Sequence, residues 1–422
     1  MNLVPAPLLI PAFRAYWIAR LAATIAQTAM VIVIGWQVYD IARETMSIQA
    51  AALRLGLIGV VQFVPLFALS LVAGWVADRV DRRYVARISV ALEVGCATAL
   101  ALANWLDVIS LGWLYGIAAL LGVARAFAGP ALGALAPNLV PRAILPNAIA
   151  LSSIAWQSGT VIGPAVGGYL LAVSPATPYA VSALLFTLAL IGLFRIGPVE
   201  RPMIDRSGGP WAQVGDGLRY VRRNRLVLGA ISLDLFAVLL GSATAMLPIF
   251  ARDILHTGPE GLGHLRAAPA VGATLAAIWF AFRPLKYNVG MKMLVAVAVF
   301  GAATVAFGLS RSIPVSLACL FLLGAADMLS VYVRQSLIQI HTPDAMRGRV
   351  GAVSTLFISA SNELGEAESG FLAALVGPVI AVVGGGIGAI AVVVIWAWRF
   401  PELRLATSFD PPDVVDASAK EL

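Results

Sequence analysis

The chain has 422 residues, 60% of them hydrophobic and only 12% charged, with a mean hydropathy of +0.89. A soluble protein of this length carries about twice that share of charge, so a water-soluble fold is excluded. The net charge of +7 does not point to nucleic acid, because it comes from arginines gathered on one side of a membrane.

Apolar runs of about 20 residues follow one another, each long enough to cross a bilayer. They are continuous and do not alternate, which excludes a β-barrel. Twelve helices are predicted, at roughly 13–38, 52–77, 84–105, 110–136, 147–173, 178–196, 226–251, 261–283, 289–309, 313–340, 348–375 and 377–399. Met1 to Phe13 lacks a basic stretch followed by an apolar run and a cleavage site, so no removable signal peptide is expected. The longest polar stretch, Gly197 to Arg225, contains Pro198, Pro202 and Pro210 and then an amphipathic run from Trp211 that fits a helix on the membrane surface. The expected organisation is therefore an N-terminal six-helix bundle (1–196), a cytoplasmic linker (197–225), a C-terminal six-helix bundle (226–399) and a polar cytoplasmic tail (400–422).

Orientation follows from Lys and Arg. About 21 of the 29 fall on one side, including Arg14, Arg79, Arg82, Arg83, Arg87, Arg142, Lys286, Arg347 and Arg349. About five fall on the other (Arg43, Arg54, Arg252, Arg266, Arg311). The positive side faces the cytoplasm, and both termini are expected there. Cys96 and Cys319 lie far apart in apolar segments, and His256, His264 and His341 form no cluster. No disulfide framework, metal site or cofactor is expected.

The fifth helix carries Gly159, Gly163, Pro164, Gly167 and Gly168. At helical spacing the glycines form a flat stripe for close helix packing, and Pro164 removes a backbone donor so that the helix can bend. An offset of 202 residues exposes an internal repeat: Gly122 meets Gly324, Pro141 meets Pro343, Gly163 meets Gly365, Gly168 meets Gly370, and Arg125 meets Asp327. Helices four and five thus recur as ten and eleven. In the second copy Glu363, Glu366 and Glu368 have entered the stripe.

Gly74, Asp78, Arg79, Arg82 and Arg83, between helices two and three, match a loop pattern of the major facilitator superfamily. Asp81 departs from it, standing where the family usually has a second glycine. The stripe from Gly159 to Gly168 resembles that family's antiporter motif, and Arg125 with Gly129 is similar to its helix-four arginine motif. A finer resemblance, to the subgroup of the enterobactin exporter and the macrolide efflux pumps, rests on Leu233 to Phe236, on Thr342 to Val350 and on Ser361 to Gly370. The resemblance covers about residues 10–400. It implies an all-α membrane protein of twelve transmembrane helices in two six-helix repeats, with helices one, four, seven and ten lining a mid-membrane cavity.

Charges at membrane depth are functional candidates. The cavity-lining helices carry Arg20 and Arg125 in the first half and Asp234 and Asp327 in the second. A structural reading has arginine and aspartate simply neutralising one another. In the functional reading the acids take protons and the arginines hold a polar or anionic substrate. Burial favours the neutral carboxyl and a nearby arginine the charged one, so alternating exposure would load and release a proton. Asp234, Asp327, Glu363 and Glu366 are the proton-coupling candidates; Glu363 and Glu366 share a helix face. Arg334 is expected to snorkel to the cytoplasmic end of helix ten, and Glu93 has no assigned role. Arg20, Gln27, Arg125, Trp156 and Asn362 are candidates to line the substrate cavity, with Trp36, Gln37, Gln62 and Gln157 as further polar or aromatic lining.

Gly74, Asp78, Arg79, Arg82 and Arg83 are the expected gating elements on the cytoplasmic side, with Arg347 and Arg349 at the start of helix eleven. An aspartate there can accept from the exposed amides of a helix N-terminus. The expected function is proton-coupled efflux of a small siderophore- or drug-like molecule across the bacterial cytoplasmic membrane, by a monomer without nucleic-acid partners. An importer or facilitator of the same fold and a non-transporting sensor are the alternatives. No nucleophile–histidine pairing and no phosphate loop argues for an enzyme or for direct ATP drive.

Overall fold

The computed structural model describes residues 5–141, 144–198, 210–283, 285 and 287–409. Arg142, Lys286, the linker before Pro210 and the tail from 410 lie outside the described residues, as do the side chains of Asp78 and Arg79. Every described element is helical. Nine of the described helices are long and apolar enough to cross a membrane by length and composition. The chain divides into two compact units, Met1–Ser207 with Pro248–Ala267, and Gly208–Leu247 with Ala268–Leu422.

The first unit is built from α1 (Pro11–Thr45), α2 (Ile48–Arg79), α3 (Arg82–Trp105), α4 (Leu111–Leu135), α5 (Leu145–Val173) and α6 (Thr177–Phe194). Helix α1 begins with a proline, tolerated where the amide would be unpaired anyway. Ser47 caps α2 by accepting from the Ala50 amide, and Asp81 caps α3 by accepting from the Arg83 amide at 2.9 Å. Helix α1 is the axis of the unit: Phe13, Tyr16, Ala26, Val33, Ile34 and Tyr39 are all buried. The glycine stripe of α5 lies against it. A Cβ on Gly163 would come within 2.6 Å of the Ile25 carbonyl oxygen, and one on Gly167 within 3.0 Å of that of Ala29. Only glycine allows this approach, and Thr28 Oγ1 uses it to donate to the Gly159 carbonyl at 3.2 Å.

The second unit begins with α7 (Pro210–Arg223) and α8 (Arg225–Leu240) and continues through α11 (Val289–Leu309), α12 (Ile313–Ile340), α13 (Asp344–Val376), α14 (Pro378–Arg399) and α15 (Pro401–Arg404). The amphipathic helix α7 docks on the protein: Val221 packs with Val227, Ile231, Ile338, Val350 and Val353. Its Gly217 admits the Arg349 backbone, and Tyr220 donates to the His341 carbonyl at 2.6 Å. Helix α10 (Gly258–Phe282) begins in the first unit and ends in the second.

The expected continuous helix at 226–251 is interrupted. Helix α8 stops at Leu240; a 3-10 turn (Ala243–Met246), the short α9 (Leu247–Ile249) and a π-helical turn (Phe250–Ile254) follow. Gly241 ends α8, and Pro248 has no amide to give, which removes one bond from the ladder that would continue it. Glycines at repeat-related positions do the same work in each unit. A Cβ on Gly122 would meet the Gln62 carbonyl oxygen of α2 at 2.6 Å, and one on Gly324 would meet Pro269 Cα of α10 at 2.6 Å.

Candidate functional site

In the first unit four helices converge on a polar cluster. Gln27 Nε2 on α1 donates to Glu93 Oε1 on α3 at 3.3 Å, and Arg125 on α4 donates to Gln62 Oε1 on α2 at 3.0 Å. Glu93 is 2% exposed, and Arg125 lies within electrostatic reach of it. Two of the expected cavity residues, Gln27 and Arg125, are thus joined to a carboxylate without an assigned role in the sequence. The signal was there: an isolated glutamate in an apolar run is costly unless it has work to do.

Arg20 sits one step along α1, donating to the Tyr16 hydroxyl at 3.2 Å, while its Nε is buried without a partner. Tyr16 in turn donates to the Leu132 carbonyl at 3.0 Å and meets Ser152 Oγ at 2.8 Å. Trp156, on α5, is 50% exposed and Asn362, on α13, is exposed. Gln37 belongs to a different, buried chain: Tyr179 donates to Gln37 Oε1 at 2.8 Å, and Gln37 donates to Asn104 at 2.5 Å. That chain ties α1, α3 and α6 together.

A second polar group of this unit involves the segment Pro248–Ala267. Tyr39 donates to Asp253 Oδ2 at 2.5 Å, Arg43 reaches both Asp253 oxygens at 3.1 and 3.3 Å, and Arg252 pairs with Asp40 at 2.5 Å.

In the second unit, Asp234 on α8 forms an ion pair with Arg334 on α12. Both are buried, at 5% and 3% exposure. The expectation that Arg334 snorkels is therefore corrected: α8 supplies a carboxylate at its depth, so the guanidinium stays inside. Asp327 shares the face of α12 that looks onto α8, and with Asp234, Ala237, Val238, Val297, Phe300, Ala326 and Ser330 it lines a small cavity. Asp234 and Asp327, two of the proton-coupling candidates, are thereby brought together. Glu363 on α13 is buried, and Glu366 lies one turn further on. Gly365 between them packs on the end of α8, where a Cβ would meet the Leu239 carbonyl oxygen at 3.0 Å. The cavity wall includes neither glutamate among the described residues.

Of the expected gating residues, Gly74 falls within α2, while the side chains of Asp78 and Arg79 lie outside the described residues. Arg83 binds Asp81 through Nε at 3.1 Å to each oxygen, and Arg82 begins α3. Arg347 donates to the Gln339 carbonyl at 3.0 Å, and Arg349 pairs with Asp216 at 3.1 Å. Among the described residues no group of three or more His, Cys, Asp or Glu could hold a metal ion.

Comparison with known proteins adds to this geometry. A family model described as a transmembrane secretion effector, of the major facilitator type, matches residues 4–415. The enterobactin exporter EntS of Shigella boydii serotype 18 is 27% identical over 401 residues, covering 93% of this chain and 93% of that protein. EntS of Escherichia coli O1:K1 is 28% identical over 403 residues, with the same coverage of both chains, 93% and 93%. Among solved structures, a POT family transporter in complex with 5-aminolevulinic acid superposes with a TM-score of 0.71 at 12% identity, covering 93% of this chain and 96% of that one. An inward-facing bacterial homologue of the human lysosomal transporter Spinster superposes at 0.69 with 16% identity, covering 94% and 96%. At these identities the two structures bear on the fold alone.

Proposed function

The chain belongs to the transmembrane secretion effector branch of the major facilitator superfamily, and from that premise we propose that it exports a small organic molecule from the cytoplasm, driven by protons. The observation that carries this reading is the likeness to enterobactin exporters along 93% of both chains. The cargo class is siderophore- or drug-like, the membrane is the bacterial cytoplasmic membrane, and both termini face inward. The protein acts as a monomer and works by alternating access.

The polar and charged groups support a division of labour. Arg20, Gln27, Arg125, Trp156 and Asn362 receive the substrate, whose polar or anionic groups the arginines hold. Asp234 and Asp327 take the coupling proton, with Glu363 and Glu366 as further acids in the same unit. A site whose carboxylate alternates between an arginine partner and a proton changes its net charge by one in each cycle. Gly74, Asp78, Arg79, Arg82, Arg83, Arg347 and Arg349 gate the cytoplasmic side. Everted vesicles loaded by this protein test the reading: a catecholate siderophore or a macrolide should accumulate when the lumen is acidic. Accumulation that ignores the pH gradient, or uptake only in right-side-out vesicles, refutes it.

A further inference from the structure

The cavity between α8 and α12 has properties that proton transfer does not require. Its volume, about 10 Å³, is room for one water-sized particle and no more. Among the described residues its polar lining consists of Asp234, Asp327 and Ser330, whose side chains offer oxygen. Ser330 is 2% exposed, and its Oγ has no hydrogen-bond partner. A serine inside a helix ordinarily donates to the carbonyl one turn back; here that bond is not made, and the oxygen is left for an occupant of the cavity. A buried hydroxyl without a partner is costly, which itself calls for an occupant.

Charge sets the nature of that occupant. Asp234 and Arg334 neutralise one another. Asp327 has no ion pair among the described residues, so with all three ionised the group carries one negative charge in excess. The rest of the wall, among the described residues, is apolar: Ala237, Val238, Val297, Phe300 and Ala326. Helix α8 ends at Leu240, two residues past Val238. The C-terminal end of a helix carries partial negative charge and favours a cation. Helix α13 packs on α8 and carries Glu363, Glu366 and Glu368, yet contributes no described residue to this wall.

We propose that the chamber formed by Asp234, Asp327 and Ser330 binds a single sodium ion. Hard oxygen donors, a single excess negative charge and room for one small particle suit Na+. A divalent ion would leave one positive charge uncompensated, and the smaller Na+ approaches carboxylate oxygens more closely than K+ and is attracted more strongly. This deepens the coupling reading above by naming a second ion for the same carboxylates, and it rests on that reading only for the ion's use in transport. Binding at equilibrium needs no transport, so the two can fail separately.

The test is equilibrium binding of radioactive ²²Na+ to the full chain in detergent. One ion per chain is expected, undisplaced by an equal concentration of K+. Asp327→Asn should abolish saturable binding. Ser330→Ala should weaken it about fivefold, the loss expected for one oxygen donor. Gel filtration and thermal unfolding establish that each variant is folded; should Asp327→Asn fail to fold, Ser330→Ala carries the test alone. Absence of saturable Na+ binding to the wild type, or binding unchanged in the folded variants, overturns the proposal. Neither result would touch substrate efflux, which is measured separately.

Discussion

The two units solve the same problem, a charge inside a membrane protein, by different means. In the first unit Gln27 donates to Glu93, and Arg125, within electrostatic reach of that carboxylate, donates to Gln62. In the second, Asp234 and Arg334 bind one another directly. The amide arrangement spreads polarity over four helices. The direct pair concentrates the cost at one point and leaves a second carboxylate, Asp327, to balance its charge elsewhere. The stripes differ likewise. Helix α5 spends Gly159, Gly163 and Gly167 on packing against α1 and Gly168 on packing against α10, whereas α13 keeps Gly365 for packing and places acids around it.

The largest effect that could break this contrast is at Arg334. Replacing it by methionine strands a buried carboxylate, which should cost about 3–5 kcal/mol in thermal unfolding in detergent. Adding Asp234→Leu should restore most of that loss. A stable Arg334→Met protein would mean that Asp234 is not held as an anion. Next comes Gly163→Ala, whose new methyl meets the α1 backbone; about 1–3 kcal/mol of stability should be lost, as for other overpacked contacts. Glu93→Gln probes the amide cluster. It keeps the shape and removes one charge-assisted acceptor, so about 1.5 kcal/mol or less is expected, with a larger effect on transport than on unfolding. The smallest change is at Asp216→Asn, which loosens α7 from Arg349. Both partners are partly exposed, and about 0.2–1 kcal/mol is the range for pairs near the surface.

Much of this was legible in the chain itself. Continuous apolar runs and the 202-residue offset are enough to expect two bundles, because helical spans in lipid must satisfy their own backbone. Asp234 and Asp327 stand out since charge is rare there. What could not be read was who meets whom. Arg334 lies six residues from the end of its helix, a position from which snorkelling and internal pairing look alike; only the rotation of α12 toward α8 decides between them. Gln37 looked like a cavity residue, and it serves instead as a link between Tyr179 and Asn104, since amide side chains suit both uses. The interruption after Leu240 was partly visible in Gly241 and Pro248. The π-helical turn has no sequence signature of its own.

One feature bears on how the protein reaches the membrane in the first place. Helix α13 carries three glutamates in the stretch that must cross, and a carboxylate at mid-membrane costs about 2.5–3.5 kcal/mol during insertion. Alone it is a poor candidate for release into lipid. Its successor α14 is the most apolar of the spans, and a single residue, Gly377, separates the two. That glycine has a φ of +90°, open to it and strained for other residues, which permits so short a connection. A hairpin of the two helices offsets the cost of the glutamates with the apolar length of α14, which neither helix entering alone would do.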